Sequence, residues 1–428
     1  MKKKCVIPVL LFLILTFSAK GGSCIEDCFD YQYTRQDLTM TFGWDSIKAF
    51  EGKGADNYLL EKRWPTVNTV LTPEEEKAQF GTNGLKQAQR QYLSFHFDDS
   101  TMRMFVYFRI VHAAGERKVC GWRAELNPPM PKEYLDPNFP EEKKEGMDWQ
   151  LLIHWVYPSD TRGAGILVNS YNDKIRDQDI WVWFPSLRKS RRLTPANGDD
   201  AVAGSDATFA ETMLLRLTDE KFQIIGETRY RGLIPVDYYE GLYLADKYGP
   251  GTKEYVEFVR NMSQPVDCWV LRAKSVQGGY ADWYDTRIMF IDKEWGGICG
   301  WEIYNPKGKM MKTNYWPNRR SSDYNGEPRI AWCNLAEVLN FEDRGFTYAI
   351  APQTNFGAPV PETWFTLREL KRSIPTVSIP YMAILPPKKL APLEDLYSPE
   401  VLRARKEFFP ERITSFPNPT SIIGMDKF

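Results

Sequence analysis

The chain of 428 residues carries 55 basic and 56 acidic side chains, for a formal net charge of −1. So even a balance sets up no global field, which excludes recruitment of nucleic acid or of an acidic membrane by net charge. The aromatic content is high, with 14 Trp, 22 Tyr and 24 Phe, and a chain of this length can form two or three domains or one large β-sheet.

Met1 to Ser23 opens with lysines at 2, 3 and 4, runs apolar from Cys5 to Phe17 and ends in the small residues Ala19, Gly21, Gly22 and Ser23. This is the pattern of a secretory signal peptide. The apolar run is too short to span a bilayer and no later stretch reaches about 18 apolar residues, so the mature protein is expected to cross no membrane. Two cleavage outcomes are open. Cleavage after Gly21 leaves a soluble product, whereas cleavage before Cys24 frees that cysteine for lipid attachment. The expected location is the periplasm, free or anchored through Cys24. Beyond the signal, the cysteines are Cys24, Cys28, Cys120, Cys268, Cys299 and Cys333. An even number in an oxidising compartment permits disulfides, and buried free thiols are the alternative.

Residues 24–100 read as an N-terminal arm with short helices. Thr72-Pro73-Glu74-Glu75 puts a hydroxyl at the cap, proline in the first turn and glutamate three residues on, a capping box. A second helical pattern covers Leu85 to Tyr92. From residue 101 to 352 the pattern changes to a period of two, clearest where Trp149, Leu151, Ile153, Trp155 and Tyr157 alternate with Gln150, Leu152, His154 and Val156. Aromatic and β-branched residues at that period predict antiparallel strands. Further strands are expected at Gly165–Tyr171, Ile180–Phe184, Met213–Leu217, Asp267–Ala273 and Trp283–Asp292. No crossover helices of the sort a parallel sheet requires separate them. Cys120-Gly121-Trp122 has an echo in Cys299-Gly300-Trp301, a one-residue difference in their following spacing being what a bulge absorbs. Residues 353–428 form a proline-rich tail with helical patterns at Thr363–Arg372 and from Ser398 to Phe408.

Catalytic motifs do not emerge. His96, His112 and His154 have no metal-ligand spacing, and there is no nucleophile elbow, phosphate-binding loop or dinucleotide fingerprint. The chain is therefore expected to be no enzyme and to need no cofactor and no metal. The most distinctive stretch runs from Trp181-Val182-Trp183-Phe184 into Arg188, Lys189, Arg191 and Arg192, followed by Gly204-Ser205-Asp206. One reading is a buried strand with a solvated cationic end, and the other is a docking site for an anionic headgroup or partner.

Trp183-Phe184-Pro185, Leu187-Arg188-Lys189, Arg191-Arg192 and Gly204-Ser205-Asp206 resemble the pattern of outer-membrane lipoprotein-sorting proteins, the LolA-, LolB- and LppX-like superfamily, and of a related periplasmic domain of unknown function. Trp269-Val270-Leu271, Arg287-Ile288, Ile291-Asp292 and Tyr304-Asn305 follow in the order that family shows, so the resemblance runs from about Arg162 to Lys312. Ala207 and Ala210 stand where the family commonly carries aromatic or acidic residues. The resemblance implies a mainly β (α+β) fold, a strongly curved antiparallel sheet or half-barrel whose helices close an apolar cavity. It also implies carriage of a lipid or a lipoprotein acyl chain, with an inner-membrane transporter or outer-membrane receptor as partner and no nucleic acid.

The expected ligand-binding residues are Trp149, Trp155, Trp181, Trp183 and Trp269, with Arg188, Lys189, Arg191 and Arg192 for headgroup or partner docking. A rival expectation is a secreted glycan-binding or glycan-cleaving β-protein, because exposed aromatics on a sheet also stack on sugars. An enclosed cavity lined by the tryptophans favours the carrier, and an open groove holding two carboxylates about 5 to 9 Å apart favours the hydrolase.

Overall fold

The computed structural model describes residues 72–372, apart from 234–263, 321–329 and shorter stretches between them. The signal, the arm before residue 72, the helical pattern at Ser398–Phe408, and Cys24, Cys28 and Cys333 lie outside the described residues.

The capping box forms as its residues require. Glu75 N–H donates to Thr72 Oγ1 at 3.2 Å, and Thr72 N–H donates to the Glu75 carboxylate at 2.7 Å. Helix α1 (Pro73–Phe80) stops at Gly81, whose φ of +74° suits glycine. Helix α2 (Gly84–His96) follows at once. Both are fastened by Glu76, which accepts from Gly84 N–H at 2.7 Å and from Ile224 N–H on the sheet at 2.8 Å. Burial raises its pKa, against the two backbone donors that favour its charge.

The strands are β1 (Ser100–His112), β2 (Gly115–Asn127), β3 (Met147–Tyr157), β4 (Gly165–Tyr171), β5 (Asp179–Phe184), β6 (Lys189–Leu193), β7 (Glu220–Leu233), β8 (Gln264–Ser275), β9 (Thr286–Asp292), β10 (Ile298–Tyr304), β11 (Met310–Tyr315), β12 (Arg319–Arg320), β13 (Ile330–Ala331), β14 (Ala336–Asn340) and β15 (Gly345–Phe356). Only β12 and β13 pair apart from the rest. The other 13 form one sheet in the order β6-β5-β4-β3-β2-β1-β15-β14-β11-β10-β9-β8-β7. Every pairing in it is antiparallel. Its two edges, β6 and β7, are consecutive in the chain, so residues 194–219 must run from one edge to the other.

Strict alternation distributes each strand's side chains between two faces. Trp149, Leu151, Ile153 and Trp155 of β3 join Ile166, Val168, Leu271, Met289 and Trp301 in the main core, together with Ala88 and Tyr92 of α2. This is the helix face. Leu152 joins Ala124 and Leu167 on the opposite face, under Val360, Phe365 and Leu370. Tyr157 does not share the face of Trp155 as the alternation predicts. A bulge opposite Cys120 inserts one residue, and Tyr157 ends 38% exposed. Both Cys-Gly-Trp segments sit at such bulges. Trp122 nevertheless takes the opposite face and Trp301 the helix face.

Two further expectations are corrected. Met213–Leu217 is not a strand, because Ala210–Leu214 is a π-helical turn. Thr208 and Glu211 form their own capping pair there: Thr208 N–H donates to the Glu211 carboxylate at 2.8 Å and Glu211 N–H to Thr208 Oγ1 at 3.3 Å. The helix expected at Thr363–Arg372 is broken into a 3-10 turn, Glu362–Trp364, and the short α3 (Leu367–Leu370), because Thr366 caps a new start. Among the described residues no helix is long and apolar enough to cross a membrane. Cys120, Cys268 and Cys299 are buried and form no disulfide among the described residues; the Cys268 and Cys299 sulfurs lie 3.9 Å apart, and burial pushes Cys268 well above the usual thiol range.

His154 of β3 ties the sheet to the C-terminal strap through Nε2 and the Leu370 carbonyl, 3.2 Å apart. Burial lowers its pKa from 6.5 to about 4. The imidazole is thus neutral in the fold while the unfolded chain takes up a proton at pH 6.5. Its contribution to stability is full above pH 6.5 and is lost as the pH falls to 4, a loss of about 3 kcal/mol. Denaturant titrations between pH 7 and pH 4 should show this fall, and His154→Gln, which keeps a donor for the Leu370 carbonyl, should flatten it. An unchanged slope in the variant would assign the fall to other groups.

Candidate functional site: the covered helix face

The helix face is the larger apolar surface, and α1 and α2 lie against the β7 end of the sheet. Residues 198–219 lie against the remainder, with Val202, Phe209 and Ala210 packed into the main core. A single irregular segment cannot form a continuous apolar layer, and it is secured by polar contacts instead. Asp206 accepts from Thr347 Oγ1 at 2.9 Å and from Asn340 Nδ2 at 3.3 Å, while its own N–H donates to Thr347 Oγ1 at 2.8 Å. Lys312 Nζ donates to the Asp206 carbonyl at 2.8 Å and lies 3.3 Å from the Glu211 carboxylate. Asn314 Nδ2 donates to the same carboxylate at 2.8 Å. All of these groups are buried. Gly345 is part of the arrangement, since a Cβ at that position would overlap the Asp206 carboxyl.

Beside this fastening is a cluster of aromatic rings and cations. Trp301 stacks on Trp316 with centroids 5.1 Å apart, and Trp283 meets Tyr284 edge-on at 4.9 Å. Lys312 Nζ lies 4.9 Å from the Trp283 ring and the Arg287 guanidinium 5.9 Å from the Trp301 ring. Arg287 is paired with Glu220 at 2.5 Å, and Glu220 also accepts from Tyr284 Oη. Burial, reinforced by Glu220, pushes Tyr284 well above the usual phenol range. The indole N–H groups of Trp283 and Trp301 are buried and meet no acceptor among the described residues. Buried indoles usually find one, so two such donors on one apolar face call for an explanation.

The structure divides the five sequence-predicted tryptophans between the faces. Trp149 and Trp155 are buried on the helix face, where Trp155 packs edge-on against Phe108 at 5.8 Å. Trp269 is half-buried at the β7 end of that face, 6.1 Å from Phe80, with Lys293 Nζ 4.1 Å from its ring. Trp181 and Trp183 lie on the opposite face and pack with the strap at Phe365 and Leu370. The basic run also divides. Arg192 is paired with Asp179, which Arg176 joins at 3.7 Å, whereas Arg188, Lys189 and Arg191 are exposed at the β5–β6 hairpin. Among the described residues no group of three or more His, Cys, Asp or Glu side chains is placed to hold a metal.

Residues 83–363 match the model of the DUF1329 family, described as proteins of unknown function. The chain belongs to that family. Among curated proteins none matches it. Similar solved structures include a domain described as an outer membrane lipoprotein-sorting protein from Vibrio parahaemolyticus, 16% identical with a TM-score of 0.49, covering 68% of this chain and 98% of that one. A DUF1329 family protein from Desulfovibrio piger is also 16% identical with a TM-score of 0.49, covering 70% and 100%. A LolA superfamily protein from Nitrosomonas europaea is 12% identical with a TM-score of 0.41, covering 67% and 99%. No residue-level correspondence follows from likenesses at these identities.

Sequence reasoning missed Trp283, Trp301, Trp316, Arg287, Lys312 and Glu211. Thr208-x-x-Glu211 was the available signal for the last, a capping box just ahead of Met213–Leu217, which reads as strand. If the polar contacts hold residues 198–219 on the sheet, Asp206→Ala should cost about 2–4 kcal/mol, since it strands buried donors. Hydrogen exchange should accelerate at residues 202–214 ahead of the strands. Gly345→Ala, which displaces the same carboxyl, should give the same exchange pattern. Uniform acceleration throughout the sheet would show that the contacts support the whole fold rather than the cover.

Proposed function

We propose that the protein is a non-enzymatic carrier or accessory factor of the periplasm that takes an acyl chain of a lipid or lipidated protein onto the helix face, beneath residues 198–219. The observation that carries this reading is the pairing of a broad apolar face with two acceptor-less indole donors, Trp283 and Trp301. An acyl chain offers both kinds of complement: methylenes for the face, and an ester or carboxylate oxygen for the indoles. Trp149, Trp155 and Trp269 supply aromatic contact on this side, and Arg287 and Lys312, each held by a carboxylate, lie beside the Trp301 and Trp283 rings. Trp181 and Trp183 pack under the strap from β5, where they hold the C-terminal segment or accept a second part of the ligand. Arg188, Lys189 and Arg191 form a docking end, directed at an anionic headgroup or at a transporter or receptor. The signal-like leader and the resemblance to lipoprotein-sorting proteins agree with this reading, and lipid attachment at Cys24 would add a membrane tether.

Organic extraction of protein purified from the cell envelope, followed by mass spectrometry, should identify a bound acyl lipid. After delipidation, a fluorescent fatty acid should bind, and Trp301→Phe or Trp283→Phe should weaken binding by roughly tenfold each, the value of one hydrogen bond of about 1.4 kcal/mol. The unliganded variants should keep their stability to within about 1 kcal/mol, because lost ring volume and relief of an unpaired donor oppose each other. Failure to bind any member of a broad lipid panel, with no lipid copurifying, would overturn the proposal.

A further inference from the structure

Four large hydrophobic side chains are exposed among the described residues, and three of them, Tyr157, Phe184 and Leu187, lie at one end of the sheet. They are 38%, 40% and 65% exposed respectively. The antiparallel order brings them together: Gly165 pairs with Trp183, so the β3–β4 turn and the β5–β6 turn emerge at the same end. A Cβ on Gly163 would stand 3.8 Å from Pro185, which puts the two turns in contact. The turns also carry Arg162 and Arg188, with Lys189 opening β6 and Arg191 two residues further on. All four cations are exposed, and among the described residues none of them has an ion pair. The one acid on either turn, Asp160, is already matched by Arg117 at 3.4 Å.

The backbone adds an independent observation. Arg188 has φ +50°, in the left-handed region that favours glycine. It ends a tight turn in which its N–H donates to the Pro185 carbonyl at 3.1 Å. Glycine would occupy that position without strain, so the turn gains nothing locally from an arginine. Strain of this kind at an exposed site points to a role for the side chain.

We propose that this end of the sheet docks on an anionic bilayer, with Leu187, Phe184 and Tyr157 entering the headgroup layer and Arg162, Arg188, Lys189 and Arg191 meeting lipid phosphates. Apolar tips ringed by unneutralised cations fit a surface that is apolar below and anionic at its face. Net charge near zero does not oppose this, because the field that matters is local and decays over about 10 Å. The inference deepens the docking role proposed above by naming its surface, and it stands apart from acyl binding on the helix face.

The test is flotation of the purified protein with phosphatidylglycerol-containing vesicles and with neutral phosphatidylcholine vesicles. Binding should require the anionic lipid and should fall with salt. The triple variant Arg188→Gln, Lys189→Gln and Arg191→Gln should bind roughly 100-fold more weakly, at roughly fivefold per cation. Leu187→Ser should also bind more weakly at unchanged charge. Arg188→Gly relieves the left-handed strain, so it should melt no lower than the parent while losing affinity, which keeps the test valid should the triple variant misfold. Equal binding to both vesicles, no binding to either, or indifference to Leu187→Ser and Arg188→Gly together would overturn the proposal. Fluorescent fatty-acid binding, measured on Leu187→Ser without vesicles, should not change. Its loss in the parent with vesicle binding intact would count against the carrier reading alone.

Discussion

An antiparallel sheet whose two edges are consecutive in the chain obliges one segment to traverse it, and here residues 194–219 make that passage between β6 and β7. Much else depends on how the segment is held. Backbone crossing a sheet has to satisfy its polar groups away from water, and side-chain partners on the strands are the way to do so. Lys312, Asn314, Asn340 and Thr347 are those partners, all on the helix face of β11, β14 and β15, and Asp206 and Glu211 are what they hold. The middle strands therefore carry polar residues inward where flanking strands carry Trp, Ile and Leu. Without the crossing segment a lysine, two asparagines and a threonine on that face would have no reason to be there.

The same constraint explains what could be read from the sequence. β3 and β5 were legible because each has one apolar face throughout, so alternation alone identifies them. The α1 start was legible because Thr72, Pro73 and Glu75 act locally. The crossing segment was not. Its capping pair, Thr208 and Glu211, is as local as that of α1, but it stands just before Met213–Leu217, which reads as a strand when the partner strands are unknown. The bulge opposite Cys120 was invisible for a related reason: an inserted residue shows only against its partner strand, so Tyr157 reads as facing the core although it lies exposed.

The candidate site divides along the same line. Tryptophans can be found in a sequence, but the face each takes depends on register, and Trp181 and Trp183 fall opposite Trp149 and Trp155 because β4 pairs Leu167 with Trp181 and Val168 with Ile180. Trp283 and Trp301 entered the sequence reading only as strand residues, with no signal of a site. Their significance lies in an acceptor that neither indole meets, and that is a property of the folded surroundings. The basic run was visible as a cluster, yet only folding separates Arg192, bound to Asp179, from Arg188, Lys189 and Arg191 at the tip.

A cover fastened by hydrogen bonds is easier to exchange for a ligand than one fastened by packing. Each of the side-chain contacts that hold Asp206 and Glu211 contributes about 1 kcal/mol net, up to about 3 where a charge takes part. An acyl chain returns about 0.8 kcal/mol for each methylene withdrawn from water. A fatty chain of ordinary length thus carries enough free energy to offset the loss of several such contacts, while a short one does not. Apolar packing would be a worse fastening, because a ligand of the same character would have to displace contacts as favourable as those it makes. The polar residues inside the face thereby act in two ways. They hold the crossing segment in one position, and on the carrier reading proposed above they set a minimum length for an acyl chain able to slip beneath it.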